Sequence, residues 1–417
     1  MDTDLEIGVN EGERARYRRN GLGIITDPHV RYDELRAQAD VHPGTIPDFF
    51  DAEDLFAGAY GEDAQFFSLF GFDVCYEAFR DNETFSSKVY WGPTRLWRGP
   101  NLVALDEPEH HPLRALAQPA FAVRAMENWE RRWMMPIVDR LISSFVGKRR
   151  VDLYMEFCAK IPAHTICKAF GVPDRDIDMI HSLAVSISGQ ANPTGGEDAA
   201  EQFAEYVLSI IRSRRDHPED DVVTYLVESE TGDPGDRRHL TDEELLGLCT
   251  LMLTAGTGTT YRTLGMGLLA LLRNPDLLER VRQDRSLIPL IVEETLRWEP
   301  PVTWLPRQAV RDTELGGVKI PAGGILDVAI GPANRDPRRW DDPHVFNPFR
   351  KKRPHIGFGT GPHFCIGNQL ARMELRVAMN QLFDRLPTIR LDPEAEAPFI
   401  TGLYYRMPTA VPVILGD

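Results

Sequence analysis

Cysteine is scarce. The five in 417 residues, Cys75, Cys158, Cys167, Cys249 and Cys365, make no even framework and no Cys-x-x-Cys pair, which excludes a disulfide scaffold and a zinc site of common spacing. Basic charge is also short. Lysine and arginine number 47 against 63 aspartates and glutamates, a formal net charge of -16. The average field therefore repels phosphate, which argues against a nucleic-acid partner or an anionic membrane surface. The opening stretch MDTDLEIGVNEGERARYRR starts with acids and has no apolar core, so neither a signal peptide nor a membrane anchor is expected, and the expected location is cytoplasmic. No internal repeat or linker breaks the chain. One domain over 1–417 is expected, with a loop region at 1–25.

Helical periodicity is plentiful. FDVCYEAFRD (72–81), ENWERRWMMPIVDRLISSFV (127–146), EDAAEQFAEYVLSIIRSRR (197–215) and LIPLIVEETLRW (287–298) repeat apolar residues at helical spacing. Between about 301 and 330, and again after 385, short β-branched runs broken by Gly and Pro (GGVKIPAGGILDVAI, TAVPVIL) read as strands. The segment 190–200, QANPTGGEDAA, reads as a loop. A mainly α fold with small β-sheets follows, mostly helical before about residue 300.

The stretch Leu245 to Leu272 is nearly free of charge and long enough to span a membrane. Arg262 near its middle, which costs about 2.5–3.5 kcal/mol in a bilayer, argues instead for a helix buried in protein. Thr241 and Glu244 form a capping box at its start, and Arg273-Asn274-Pro275 marks its stop. Inside it lies LTAGTGTT (253–260). Glycine costs roughly 1 kcal/mol in a helix interior and threonine is a weak helix former. Something requires the helix to be thin and hydroxylated there.

The strongest local signal is FGTGPHFCIG, Phe358 to Gly367. A single cysteine sits between a glycine-rich turn and a helix, where backbone N–H groups and the macrodipole favour a thiolate. Gly359, Gly361 and Gly367 let a large flat object approach the backbone. Such a cysteine is a nucleophile or the proximal ligand of haem iron.

This loop resembles the haem-binding signature of the cytochromes P450, Phe-x-x-Gly-x-x-x-Cys-x-Gly, with Phe358, Gly361, Cys365 and Gly367 in its four specified positions. Further matches follow along the chain from about residue 70. The family's Glu-x-x-Arg is similar to Glu294-Thr295-Leu296-Arg297, and its Phe-x-Pro-x-Arg to Phe346-Asn347-Pro348-Phe349-Arg350, so that Glu294, Arg297 and Arg350 would form a buried ion-pair network. NRDP at Asn334 to Pro337 is a further family-like turn. The resemblance implies the cytochrome P450 fold with a long central helix over haem b, iron protoporphyrin IX, whose metal ligand would be Cys365. His110, Arg114, Arg307 and His363 match the positions that hold the haem propionates. His111 and His355 fit that spacing less well.

In that family the central helix carries Ala/Gly-Gly-x-Asp/Glu-Thr, similar to Ala255-Gly256-Thr257-Gly258-Thr259 here. Thr259 would then relay protons beside bound O2, with Ala255 leaving room. Leu251, Ala255, Thr259 and Arg262 share one helix face. The departure is Gly258, where the family has a carboxylate. Three readings stay open: water through the space the glycine leaves; a substitute group such as Arg262 with an acidic partner, or a substrate hydroxyl or carboxylate; or a slow, poorly coupled enzyme.

The resemblance also implies electrons from an iron-sulfur ferredoxin and an NAD(P)H-dependent ferredoxin reductase. The run Arg350, Lys351, Lys352, Arg353, with Arg124 and Arg372, forms a basic docking patch or a solvated loop. The pocket is expected to draw on Trp91, Trp97, Leu251, Thr254, Val302, Trp304, Leu305, Met407 and Thr409, with Val89, Tyr90, Leu96 and Thr303 nearby. That lining suits an apolar terpenoid, aromatic or steroid-like molecule. The expected function is a monomeric haem-thiolate monooxygenase that hydroxylates such a molecule with O2. Alternatives are a peroxide-using, coupling or desaturating haem-thiolate enzyme, and a non-catalytic haem-based ligand-binding protein.

Overall fold

The computed structural model describes residues 25, 27–52, 59–61, 63–187, 196–232, 235 and 237–416. The expected loop region at 1–25 lies outside these except for Ile25, and so does 190–195 of the expected loop. Its remainder is not a loop: Gly196–Asp216 is one helix, and residues 196–200 form its first turns. Glu197 and Asp198 suit the positive end of that helix, which is why a Gly-led acidic stretch starts it.

The four periodic segments are helical, at Phe72–Arg80, Val123–Phe145, Gly196–Asp216 and Ile288–Trp298. The second carries a widened π turn at Glu130–Met134, just before Pro136, whose missing N–H cannot complete a regular ladder. The central helix runs from Asp242 to Leu272, with Thr241 and Glu244 exchanging both hydrogen bonds of the capping box. It ends at Arg273, and Asn274 then caps the next helix, Pro275–Gln283. Among the described residues, no helix is long and apolar enough to cross a membrane. The central helix is buried on nearly every side, packed against Lys160–Ala169, Ile177–Ile187 and Asn368–Arg385.

The main sheet has five strands in the order Val41–Pro43, Phe66–Leu69, Ile325–Ala329, Trp304–Ala309, Phe85–Ser86. Only the pairing of Ile325–Ala329 with Phe66–Leu69 is parallel, and Arg307 lies opposite Leu326. Three of these strands fall before residue 90, inside the part read as helical. They are two to four residues long, too short to show a period of two. Smaller ladders follow, among them Ile400–Thr401 against Met407–Pro408 and a three-stranded sheet that joins Arg150–Asp152 to the C-terminal Pro412–Ile414.

Candidate active site

Threonine hydroxyls replace water along the middle of the central helix. Thr254 Oγ1 donates to Thr250 O at 2.7 Å, Thr259 Oγ1 to Ala255 O at 3.2 Å and Thr263 Oγ1 to Thr259 O at 2.9 Å. Each competes with a main-chain bond of the helix, which loosens it locally. Ala255, Gly258, Thr259 and Arg262 all line one cavity of about 360 Å³. The cavity's opposite wall is the cysteine loop, with Phe358, Gly359, His363, Cys365 and Gly367.

That loop is shaped by its glycines in two different ways. Gly361 has φ +75, and a Cβ there would lie 2.6 Å from Phe79 O, so the loop can rest on the Phe72–Arg80 helix only without a side chain. Gly359 and Gly367 face the cavity, and a Cβ at either would meet nothing within 3.9 Å. They leave a flat open cradle on either side of Cys365. The Cys365 N–H donates to Phe358 O at 2.9 Å, which closes the loop. Burial pushes the Cys365 thiol up, against the Gly367 N–H, Arg114 and Arg372, which pull it down. The thiolate bias expected from the helix start is therefore overridden in the bare chain, because desolvation is the largest of these effects. A metal ion bound to the sulfur would remove the proton outright.

Beside the cradle, buried donors converge. His110 and His363 pack with ring centroids 4.3 Å apart, and the Nε2 of each is buried without a hydrogen-bond partner among the described residues. His363 Nδ1 donates to Leu102 O at 3.1 Å. Burial, then the charge of Arg307, holds His363 down to about 2; burial and Arg114 lower His110. Arg114 Nη2 donates to Phe364 O at 2.6 Å, and Arg307, 4% exposed, lies over the Phe79 ring at 5.0 Å. Two orphaned imidazole nitrogens, one of which gains its proton only when an anion arrives, next to two fixed guanidiniums suit a pair of carboxylates entering from the cavity. The donor set, the open glycine cradle and the lone thiol together fit haem. His111 is exposed and His355 faces Glu293 at 3.3 Å, so neither belongs to the cluster.

The expected ion-pair network is present. Glu294, 4% exposed, accepts from Arg297 at 2.8 and 2.9 Å, from Arg350 Nε at 3.0 Å and from the Asn347 N–H at 2.8 Å. Asn334 is fully buried and its Oδ1 accepts from the Ile356 N–H, tying the NRDP turn to the start of the cysteine loop. Arg350 is thus committed inward, and Arg372 is committed to Glu293 at 2.6 Å and to the Phe358 ring. The exposed basic residues of the expected patch reduce to Arg124, Lys351, Lys352 and Arg353.

Of the expected pocket residues, Trp97, Leu251, Thr254, Val302 and Leu305 line the cavity, as does Tyr90. Four do not. Trp91 is 42% exposed, because the single turn Lys88–Trp91 turns Tyr90 inward and Trp91 outward. Trp304 packs on the Tyr404 ring at 4.6 Å; strand alternation puts it opposite Leu305 and Arg307, which face the cavity. Met407 is buried in its own two-stranded ladder, and Thr409 is exposed with its Oγ1 taken by the Phe399 N–H. Val89 and Leu96 are buried away from the cavity wall, and Thr303 Oγ1 donates to Leu403 O at 2.6 Å. The wall residues missed include Leu102, Ile166, Tyr404 and Tyr405. The adjacent tyrosines in GLYYRM were a visible sign, being too aromatic for an ordinary turn.

Gly258 does not leave open space. A Cβ there would meet Arg262 Nη1 at 2.6 Å, and that nitrogen donates to Gly258 O at 2.7 Å. The guanidinium occupies the side of the helix on which a residue 258 side chain would project. The reading in which the glycine itself opens a water path is thereby corrected.

Comparison with known proteins agrees with this geometry. The profile of the cytochrome P450 family matches residues 175–391. Cytochrome P450 107B1 of Saccharopolyspora erythraea is 37% identical over 294 residues, covering 70% of this chain and 71% of its own. The mycinamicin IV hydroxylase/epoxidase of Micromonospora griseorubida is 36% identical over 319 residues, covering 75% and 79%. Among solved structures, the myxobacterial cytochrome P450 CYP267B1 in complex with myristic acid superposes with a TM-score of 0.82 at 29% identity, over 94% of this chain and 97% of that one.

Proposed function

The chain belongs to the cytochrome P450 family and is a haem-thiolate monooxygenase of it, and from that premise we propose that it hydroxylates an apolar small molecule using haem b and electrons from a ferredoxin. The observation that carries this reading is the single cavity in which Cys365 faces Thr259 while His110, His363, Arg114 and Arg307 gather at its edge. When bound, haem supplies activation of O2 and insertion of one oxygen atom into a C–H bond.

The chain's own groups do the rest. Cys365 Sγ would hold the iron as thiolate, with the Gly367 N–H directed at it to moderate its charge. His110 as a neutral donor through Nε2, and Arg114 and Arg307 as cations, would meet the propionates; His363, whose Nδ1–H is committed to Leu102 O, would donate there only as the imidazolium. Apolar wall residues such as Leu251, Val302 and Leu305 exclude water and hold the substrate body. Thr259 holds a hydroxyl at the cavity face of the central helix, hydrogen-bonded back to Ala255 O, and could relay a proton from there into the cavity. The redox partner is an iron-sulfur ferredoxin served by an NAD(P)H-dependent reductase in the cytoplasm, and the protein works as one domain and a monomer.

The test is turnover under labelled dioxygen with a ferredoxin, its reductase and NADPH, on substrates chosen by their shift of the ferric spectrum. Product carrying one labelled oxygen atom supports the reading. NADPH use that never yields oxygenated product from any spectrum-shifting compound would overturn it. Thr259→Val is expected to keep the spectral shift and to lose product formed per NADPH roughly 100-fold, the low end of what general acid–base catalysis contributes.

A further inference from the structure

Hydroxylation with O2 consumes two protons along with two electrons, yet the described lining of the cavity holds no aspartate or glutamate. Position 258 is glycine, and the space beside it is taken by Arg262, which donates to Gly258 O and whose guanidinium carbon lies 4.9 Å from the Tyr261 ring centroid and 4.5 Å from that of Tyr405. A guanidinium keeps its protons at any working pH, so it is not their source.

One carboxyl group lies just behind the wall. Glu374 is buried on the helix Asn368–Arg385 that follows the cysteine loop, and Leu370, Ala371 and Leu375 beside it on that helix line the cavity. The hydroxyls near enough to act on its carboxyl are those of Thr165 and Thr260, and burial, the larger effect, pushes it up to about 8. It therefore carries a proton at neutral pH. Thr260 is itself a wall residue, next to Thr259, and its Oγ1 donates to Gly256 O at 3.5 Å, a bond long enough to be given up. One hydroxyl thus separates a buried acid from the cavity. No charged side chain is among the groups that set the titration of Glu374. Those on the neighbouring helices are turned elsewhere: Glu130 to Arg376, Asp139 to Arg385, Glu293 to Arg372, Glu294 to Arg297 and Arg350, Lys160 to Glu156 and Lys168 to Asp174, while His164 lies among Arg140, Asp178 and Asp174.

We propose that Glu374 holds a stored proton for turnover, released through Thr260 into the cavity in place of the carboxylate that position 258 lacks. This deepens, and rests on, the monooxygenase reading. In the step the Glu374 O–H bond breaks, its proton joins Thr260 Oγ1, and the threonine's own proton leaves into the cavity; no electrons move, and a carboxylate stays behind. One of the two protons of hydroxylation is supplied in this way. An apolar substrate body excludes water from the cavity, so a proton kept inside the fold is at hand when bulk water is not. When product leaves and water returns, the same hydroxyl carries a proton back to the carboxylate.

The experiment has two readouts on the haem-loaded protein. The infrared spectrum of wild type minus Glu374→Gln is expected to show the C=O band of a protonated carboxyl at pH 7, fading with a midpoint near 8. Product formed per NADPH, a ratio that does not depend on how fast electrons arrive, is then measured from pH 7 to 9 with ferredoxin, its reductase and the compound that shifts the ferric spectrum most. The wild-type ratio is expected to fall about ten-fold over that range, as the protonated fraction does. Glu374→Gln and Thr260→Val are each expected to lie roughly 100-fold below wild type at pH 7 and to lose the pH dependence, with affinity for the compound within about three-fold, and the double variant is expected to lie no lower than either. A merely structural role for Glu374 would leave the pH profile in place in Glu374→Gln. No carboxyl band at pH 7, a wild-type ratio that is flat across the range, or a variant that keeps the wild-type ratio would overturn the proposal. Labelled product from the wild type with no dependence on Glu374 removes the proton store and leaves the monooxygenase reading standing; no product from the wild type at any pH removes both.

Discussion

Glu374 shows how one side chain can burden a fold. It is 1% exposed on the helix Asn368–Arg385, and neither carboxylate oxygen has a well-formed hydrogen bond among the described residues: the Thr165 and Thr260 hydroxyls, near enough to pull the carboxyl down, donate to Ile161 O and Gly256 O. Burial pushes its carboxyl up to about 8, above the unfolded value of 4.5. The folded state therefore keeps a proton that the unfolded chain gives up, so stability is full below about pH 4.5 and is lost as pH rises through 8. Glu374→Gln is expected to stabilise the protein at pH 8 by about 2–4 kcal/mol and hardly at pH 4.5, measured by denaturant unfolding at both pH values. His181 has the opposite sign: held down to about 4 by burial, it removes stability as pH falls from 6.5 toward 4. At this scale the sequence was partly legible. Cys365, Thr259 and the four residues proposed to meet the propionates stood out because their chemistry is written in residue type and spacing. That Arg262 fills the space beside Gly258 was less visible, although four residues of helix separate them, because reach and direction of a long side chain depend on the rings that clamp it.

Among the elements, the cysteine loop depends most on its surroundings. Gly361→Ala would need a Cβ 2.6 Å from Phe79 O at a φ of +75, so it is expected to cost about 1–3 kcal/mol and to weaken haem retention. Gly367→Ala meets no neighbour and is expected to leave the stability of the haem-free chain within about 0.5 kcal/mol, yet to lower haem affinity by filling the cradle; haem titration of both variants separates the two effects. Glu294→Gln would leave Arg297 and Arg350 buried against a neutral amide, an expected loss of about 3–5 kcal/mol in denaturant unfolding. Helices were readable because each repeats its apolar face several times, and the central one also announces its start through Thr241 and Glu244. The strands at Val41–Pro43, Phe66–Leu69 and Phe85–Ser86 were not: the last two pair with strands more than 200 residues away, the first is an edge strand on Phe66–Leu69, and pairing, not local pattern, defines all three. Pocket residues failed for a related reason: Trp91 and Trp304 sit one residue from side chains that do face the cavity, and a turn or a strand decides between neighbours.

At the scale of the molecule, a chain of net charge -16 keeps its exposed Lys351, Lys352, Arg353 and Arg124 as a local exception. If these residues steer an acidic ferredoxin, reversing the charge of Lys351 and Lys352 slows reduction several-fold at low salt, with the difference fading near 0.5 M salt; stopped-flow reduction checks it. Everything in the account passes through the sulfur of Cys365, and the most direct measurement is the spectrum of the reduced, carbon monoxide-bound protein beside that of Cys365→His. Thiolate ligation by Cys365 predicts the long-wavelength Soret band of thiolate-ligated haem in the wild type, replaced in the variant by the shorter-wavelength band of imidazole ligation. A wild-type protein that binds no haem, or whose spectrum is unchanged by Cys365→His, would contradict it.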